Sequence, residues 1–181
     1  MPEPAAAGTS ALFLREAQIR QAQDMLFLAW RDFAGCVDPV LAARGLGRAH
    51  HRALHFIGRH PNLTVTELLG LLCVTKQSLS RVLALLVEQG LVSQSPGRSD
   101  RRQRLLCLTE GGVSLERALF ERQRERLIAA YREAGGPAVE GFRQVMRGLM
   151  GGPARKTLDL LHAPVPALQT TAPVAGGRRV V

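Results

Sequence analysis

Apolar residues in this 181-residue chain recur mostly at helical spacing. Ile19, Ala22, Leu26, Ala29 and Phe33 alternate by three and four, which predicts a helix over about 12–34 with an a/d-like seam. Met25, Phe27, Leu28 and Trp30 widen that stripe, so the helix is expected to be buried among several others. Asp38-Pro39 starts a short helical turn that Gly45 stops. A helix over 47–60 closes at Pro61. Thr64 and Glu67 form a capping box for the next one, with Leu68, Leu69 and Leu72 on its inner face. Thr75 caps a helix over 76–89, ended by Gly90, whose inner face carries Leu79, Val82, Leu83, Leu86 and Val87.

The pattern then changes. Residues 91–95 and 103–108 read as strands around a loop at 96–102. Thr109-Glu110 caps a long helix to about Ala134, which Gly135-Gly136-Pro137 breaks. A helix over 138–150 puts Val139, Phe142, Met146 and Leu149 on one side, and Gly151-Gly152-Pro153 precedes a last piece over 154–162. The ends, 1–11 and 163–181, are rich in Pro, Ala and Gly and are expected to be disordered. The fold class is mainly α with a small β-hairpin.

Composition adds direction. Hydrophobic residues are 46% of the chain, enough for a core, while aromatics are only 4%. The net charge of +9 and pI near 11.1 suit a polyanionic partner, nucleic acid before membrane, because no apolar run is long enough to span a bilayer. Cys36, Cys73 and Cys107 form no CxxC and lack metal-ligand spacing, and the N-terminus lacks the basic head of a secretory signal. A cytoplasmic, reduced protein with no cofactor and no metal is expected.

On the helix over 76–89, burying the leucine face turns Gln77, Ser80, Arg81 and Ala84 outward, with Thr75 and Lys76 at the leading end. A recognition helix needs such a face, because its first turns approach base edges and its free N–H groups favour phosphate. Gln77 suits adenine and Arg81 guanine, while Thr75, Ser78 and Ser80 suit close phosphate or base contacts. Alone, this face reads equally well as an ordinary solvated one. The loop decides: Arg98, Arg101, Arg102 and Arg104 stand against one acid, Asp100. Such guanidiniums repel one another unless a polyanion neutralises them, and an exposed loop fits a minor groove. Asp100 is expected to pair with Arg102 and fix its planar fork.

The unit therefore reads as a winged helix-turn-helix. Leu63-Thr64-Val65-Thr66-Glu67-Leu68, Val74-Thr75-Lys76-Gln77-Ser78-Leu79-Ser80-Arg81, Glu88-Gln89-Gly90-Leu91-Val92 and Asp100-Arg101-Arg102, running into Leu108-Thr109-Glu110-x-Gly112, resemble the MarR family of transcription regulators over about residues 15–150. Gly111 departs from the family pattern, which commonly has lysine there. The resemblance implies a homodimer that binds double-stranded DNA at an inverted-repeat operator, acts as a repressor and is released by an effector. Segments 12–46 and 111–162 would be the helical dimerisation region, and 47–110 the DNA-binding region. It also implies a small-molecule site between these regions, for which Trp30, Arg31, His51, Arg52 and His55 are the candidates.

His51 and His55, one turn apart, form a metal pair, a pH sensor or simply a polar helix face. For oxidation sensing, Cys73 and Cys107 are expected to be buried and Cys36 to be the exposed thiol. No nucleophile motif, phosphate loop or paired carboxylates support an enzyme. The rival reading is a winged-helix protein-interaction module without operator binding, against which the wing charge argues.

Overall fold

The computed structural model describes residues 15–97 and 100–162. The expected disordered ends, the expected first three residues of the first helix (12–14), and residues 98 and 99 of the loop, Arg98 among them, therefore lie outside the described residues. The order is α1 (Glu16–Gly35), α2 (Asp38–Ala42), α3 (Arg48–Arg59), β1 (Leu63–Thr64), α4 (Val65–Leu72), α5 (Lys76–Glu88), β2 (Val92–Pro96), β3 (Arg104–Leu108), α6 (Glu110–Ala134), α7 (Gly136–Leu149) and α8 (Gly152–His162). Two compact units divide at residues 139 and 140, inside α7. Among the described residues no single helix is long and apolar enough to cross a membrane.

In the first unit, leucines from every layer meet in one core. Leu54 and Ile57 of α3, Leu68 of α4, Leu79 and Leu86 of α5, Leu106 of β3 and Leu119 of α6 are all essentially inaccessible. Burial of each such side chain contributes about 1.5–3 kcal/mol. Thr64 caps α4 as expected: its Oγ1 accepts the Glu67 amide at 3.1 Å while Glu67 Oε2 accepts the Thr64 amide at 2.8 Å. Helix α5 buries Leu79, Leu83 and Leu86, but Val87 is 40% exposed rather than inward. It lies about 80° round the helix from Leu79, past the edge of the stripe.

The strands pair antiparallel from Val92↔Leu108 to Pro96↔Arg104. The sequence pattern predicts only two strands, yet β1 adds to the hairpin through Leu63↔Leu106, giving the order β1-β3-β2. Two residues are too few to show a period. Asn62, at φ 69°, turns the chain into this strand, and its amide donates to the Leu106 carbonyl at 3.0 Å.

Between β3 and α6 the chain is tied to the end of α5. The Thr109 hydroxyl donates to the Gly90 carbonyl at 2.5 Å and accepts the Gly112 amide at 3.1 Å, and the Thr109 amide donates to Leu91 O at 3.1 Å. Gly112 lies so close to Leu91 that a Cβ would run into the Leu91 carbonyl oxygen.

Helix α1 departs from expectation. Within one chain it buries only Ala34, leaving Met25, Phe27 and Trp30 more than 60% exposed. In the second unit, Phe142, Val145 and Leu149 of α7 are also exposed. There α8 is pinned back on the end of α7. Arg147 and Asp159 form a two-pronged ion pair at 2.8 and 3.0 Å. Arg155 donates to the carbonyls of Arg147, Gly148 and Met150 at 2.9 Å each, serving the otherwise unpaired end of the helix.

Gly112→Ala should cost about 1–3 kcal/mol by overpacking against a backbone oxygen that cannot yield. Gly111→Ala, with no neighbour nearer than 3.8 Å, should be neutral or stabilise the helix by up to about 1 kcal/mol. Thermal melting of the two variants against wild type checks the contrast; equal melting temperatures would refute it.

Candidate nucleic-acid interface

Helices α4 and α5 meet at a bend of 116° across a short turn, the geometry of a helix-turn-helix. Thr75 starts α5 with extended backbone, its Oγ1 accepting the Ser78 amide at 3.2 Å and donating to Ser78 Oγ at 2.9 Å. The Thr75 hydroxyl is thus spent in the cap, while Ser78 Oγ accepts there and keeps its own proton to donate. Lys76, Gln77, Ser80 and Arg81 are exposed, and among the described residues their side chains meet no hydrogen-bond or ion-pair partner. The helix presents one donor-acceptor amide, one hydroxyl and two cations along its outer face.

Helix α5 leads directly into the wing. Its tip is closed by the Gly97 amide on Gln103 O at 3.0 Å and the Gln103 amide on Asp100 O at 3.1 Å. A Cβ at Gly97 would stand 2.7 Å from the Asp100 carbonyl oxygen, so the tip closes this tightly only with glycine there. Asp100 does not hold the Arg102 fork as expected. Its Oδ1 accepts the Arg102 backbone amide at 2.9 Å, because a short carboxylate in a turn reaches the amide two residues on most directly. The guanidiniums of Arg101, Arg102 and Arg104 are exposed, and among the described residues no acid pairs with them.

The remaining candidates are spread over α1 and α3. Trp30 packs against Phe33 with centroids 6.2 Å apart, and Arg31 Nε is 2.9 Å from Asp32 Oδ1. Arg52 Nη2 donates to the Leu72 carbonyl at 3.0 Å. His55 Nδ1 is 3.8 Å from Glu116 Oε1 of α6. Burial holds His51 below its ordinary pKa against the pull of Asp38. Burial also lowers His55, helped by His51, Arg59 and His60, whereas burial raises Glu116. Among the described residues no group of three His, Cys, Asp or Glu is placed to hold a metal ion.

The thiols also correct the expectation. Cys73 is exposed, because at φ 51° it ends α4 in the left-handed region and turns outward. Cys36 is half-buried with Sγ donating to Phe33 O at 3.1 Å, and Cys107 is half-buried with Sγ 3.3 Å from Asn62 Oδ1.

A helix-turn-helix with a free polar face and a cationic wing defines a DNA-binding regulator, and the comparisons agree. The MarR family sequence profile matches residues 44–103. The HTH-type transcriptional regulator PetP of Rhodobacter capsulatus is 50% identical over 154 residues, covering 85% of this chain and 93% of that protein. The crystal structure of an uncharacterized SlyA-like transcription regulator from Listeria monocytogenes matches with TM-score 0.63 at 15% identity, over 81% of this chain and 97% of that one. A mutant MarR from E. coli complexed with operator DNA matches with TM-score 0.60 at 20% identity, over 74% and 96%. This chain belongs to the MarR family of winged helix-turn-helix transcription regulators.

The depressed histidines set a pH dependence. The unfolded chain takes up protons as pH falls through about 6.5, whereas folded His50, His51 and His55 take theirs up only at lower pH, so stability falls on acidification. Raised Glu116 acts oppositely: its contribution is full below the ordinary carboxyl pKa and lost as pH rises through the folded value. With three depressed histidines, His50, His51 and His55, against one raised carboxyl, melting temperature should be lower at pH near 5.5 than near 7.5. His51→Gln/His55→Gln should flatten the slope; an unchanged slope would contradict the assignment.

Proposed function

We propose that this chain is a homodimeric repressor that lays α5 in the major groove and its wing in the adjacent minor groove of an inverted-repeat operator. The observation that carries the reading is the continuity of unpartnered Lys76, Gln77, Ser80 and Arg81 with the wing guanidiniums of Arg101, Arg102 and Arg104. The charge pattern of the loop in the sequence adds Arg98 to the wing set. Thr75 and Ser78 hold the helix start that faces phosphate, and Asp100 shapes the wing tip. The protein-interaction alternative gives no reason for so much uncompensated charge beside a free helix face.

Dimerisation follows from the apolar surface that one chain leaves open. Covering Met25, Phe27, Leu28 and Trp30, each more than half exposed, removes apolar surface from water at about 25 cal/mol per Å², which favours a second copy over solvent on this face. Two recognition helices about 34 Å apart would then read successive major grooves. The E. coli MarR mutant complexed with operator DNA supports this use of the fold.

The effector reading places a small molecule among Trp30, Arg31, His51, Arg52 and His55. His51 and His55 stay neutral at neutral pH and supply ring nitrogens, Arg31 supplies charge, and Arg52, its guanidinium held on the Leu72 carbonyl, lines the site with its stem. An effector that cuts operator affinity ~100-fold needs about 2.8 kcal/mol of coupling.

A duplex selected by the wild-type protein from a random pool should bind with a steep salt slope. Arg102→Ala should make that slope shallower by about one unit, and the Arg81→Ala/Arg102→Ala pair should abolish specific binding while the dimer persists. Light scattering reads the dimer, and emission of the sole tryptophan, Trp30, should shift red on dilution. A monomer, or binding without a salt slope, would overturn the proposal.

A further inference from the structure

The aim of α5 depends on the turn that launches it, and that turn is short. Leu72 ends α4, Cys73 takes the left-handed conformation at φ 51° and ψ 46°, and Thr75 already caps α5. The change of direction between the two helices is therefore made within residues 73–75, and it starts at the Leu72–Cys73 peptide. Its neighbours are held from within the turn: the Cys73 amide donates to Leu69 O at 3.1 Å, and Cys73 Sγ lies 3.3 Å from Gly70 O. The Leu72 carbonyl is held from outside, by Arg52 Nη2 of α3 at 3.0 Å.

This contact crosses twenty residues of sequence and ties the turn to a helix anchored in the core by Ala53, Leu54 and Ile57. The opposite end of α5 has a similar tether, Gln89 Nε2 donating to Arg44 O at 3.0 Å. A non-glycine residue in the left-handed region costs about 1–2 kcal/mol by itself, so the turn persists because its surroundings hold it. A charged donor on a carbonyl is among the stronger holds available. Arg52 is also the only residue outside the turn and α4 with a side chain on this carbonyl among the described residues.

We propose that Arg52 is a positioning residue for DNA reading: its guanidinium fixes the Leu72–Cys73 peptide and with it the direction in which α5 presents Gln77 and Arg81. Arg52 itself stays off the DNA. The inference rests on the operator-binding reading above and goes beyond it by assigning specificity to a residue outside the DNA-facing surface.

The test uses full-length Arg52→Met and Arg52→Lys on the duplex selected by the wild-type protein, over a salt series. Arg52→Met should bind about tenfold more weakly with an unchanged salt slope, and Arg52→Lys, which keeps a charged donor, should recover most of the loss. Amide exchange should speed up in Arg52→Met at residues 72–76 and not in the core of α3. Unchanged affinity overturns the inference. So does a loss accompanied by a slope about one unit shallower, which would make Arg52 a phosphate contact. A wild-type protein that selects no duplex overturns the operator reading and this inference together, whereas selective binding by wild type and Arg52→Met alike overturns only this one. If Arg52→Met does not fold, Arg52→Gln gives the same readouts with a shorter, uncharged donor.

Discussion

The whole reading unit depends on the approach of Gly112 to the Leu91 carbonyl. Because no side chain stands between them, the start of α6 lies directly on the chain as it leaves α5. Thr109 closes the joint with a hydroxyl that serves Gly90 on one side and Gly112 on the other. The recognition helix, the wing and the first turns of α6 are thereby one piece. Any displacement of α6 moves the DNA-facing surface with it, which is what a regulator working through the spacing of two copies requires.

Elsewhere the chain departs from the rule that local features agree with a stable single fold, and the departures are where function lies. The wing gathers guanidiniums that its one neighbouring acid does not neutralise, since that acid is used to shape the turn. Helix α1 leaves aromatic and aliphatic side chains uncovered, whose burial energy an isolated chain does not gain. The first departure asks for a polyanion and the second for a second copy. A dimer on DNA settles both.

Most of the architecture was legible because its signals are local. Caps at Thr64, Thr75 and Thr109 and the leucine period of α5 fix helix starts and faces within four residues. The outward set on α5 followed from the same period. What stayed hidden depends on contacts distant in sequence: the two-residue β1 on Leu106, the Arg52 bond to Leu72 and the Gln89 bond to Arg44. Backbone conformation misled as well. Cys73 follows apolar residues and reads as buried, yet its left-handed φ turns it outward. The Thr109-to-Gly112 motif was visible as a family signature, but only the structure gives its glycine a physical reason.

Under the proposed function, two copies of the reading unit engage DNA at a spacing set by the helices outside it. Hydroxyl-radical footprinting of the wild-type protein on its selected duplex tests this most directly. Two protected patches related by inverted symmetry are expected, on one face of the duplex and centred about one helical turn (~34 Å) apart, with minor-groove protection flanking each. A single patch, or two patches at a spacing that varies between bound sequences, would contradict it.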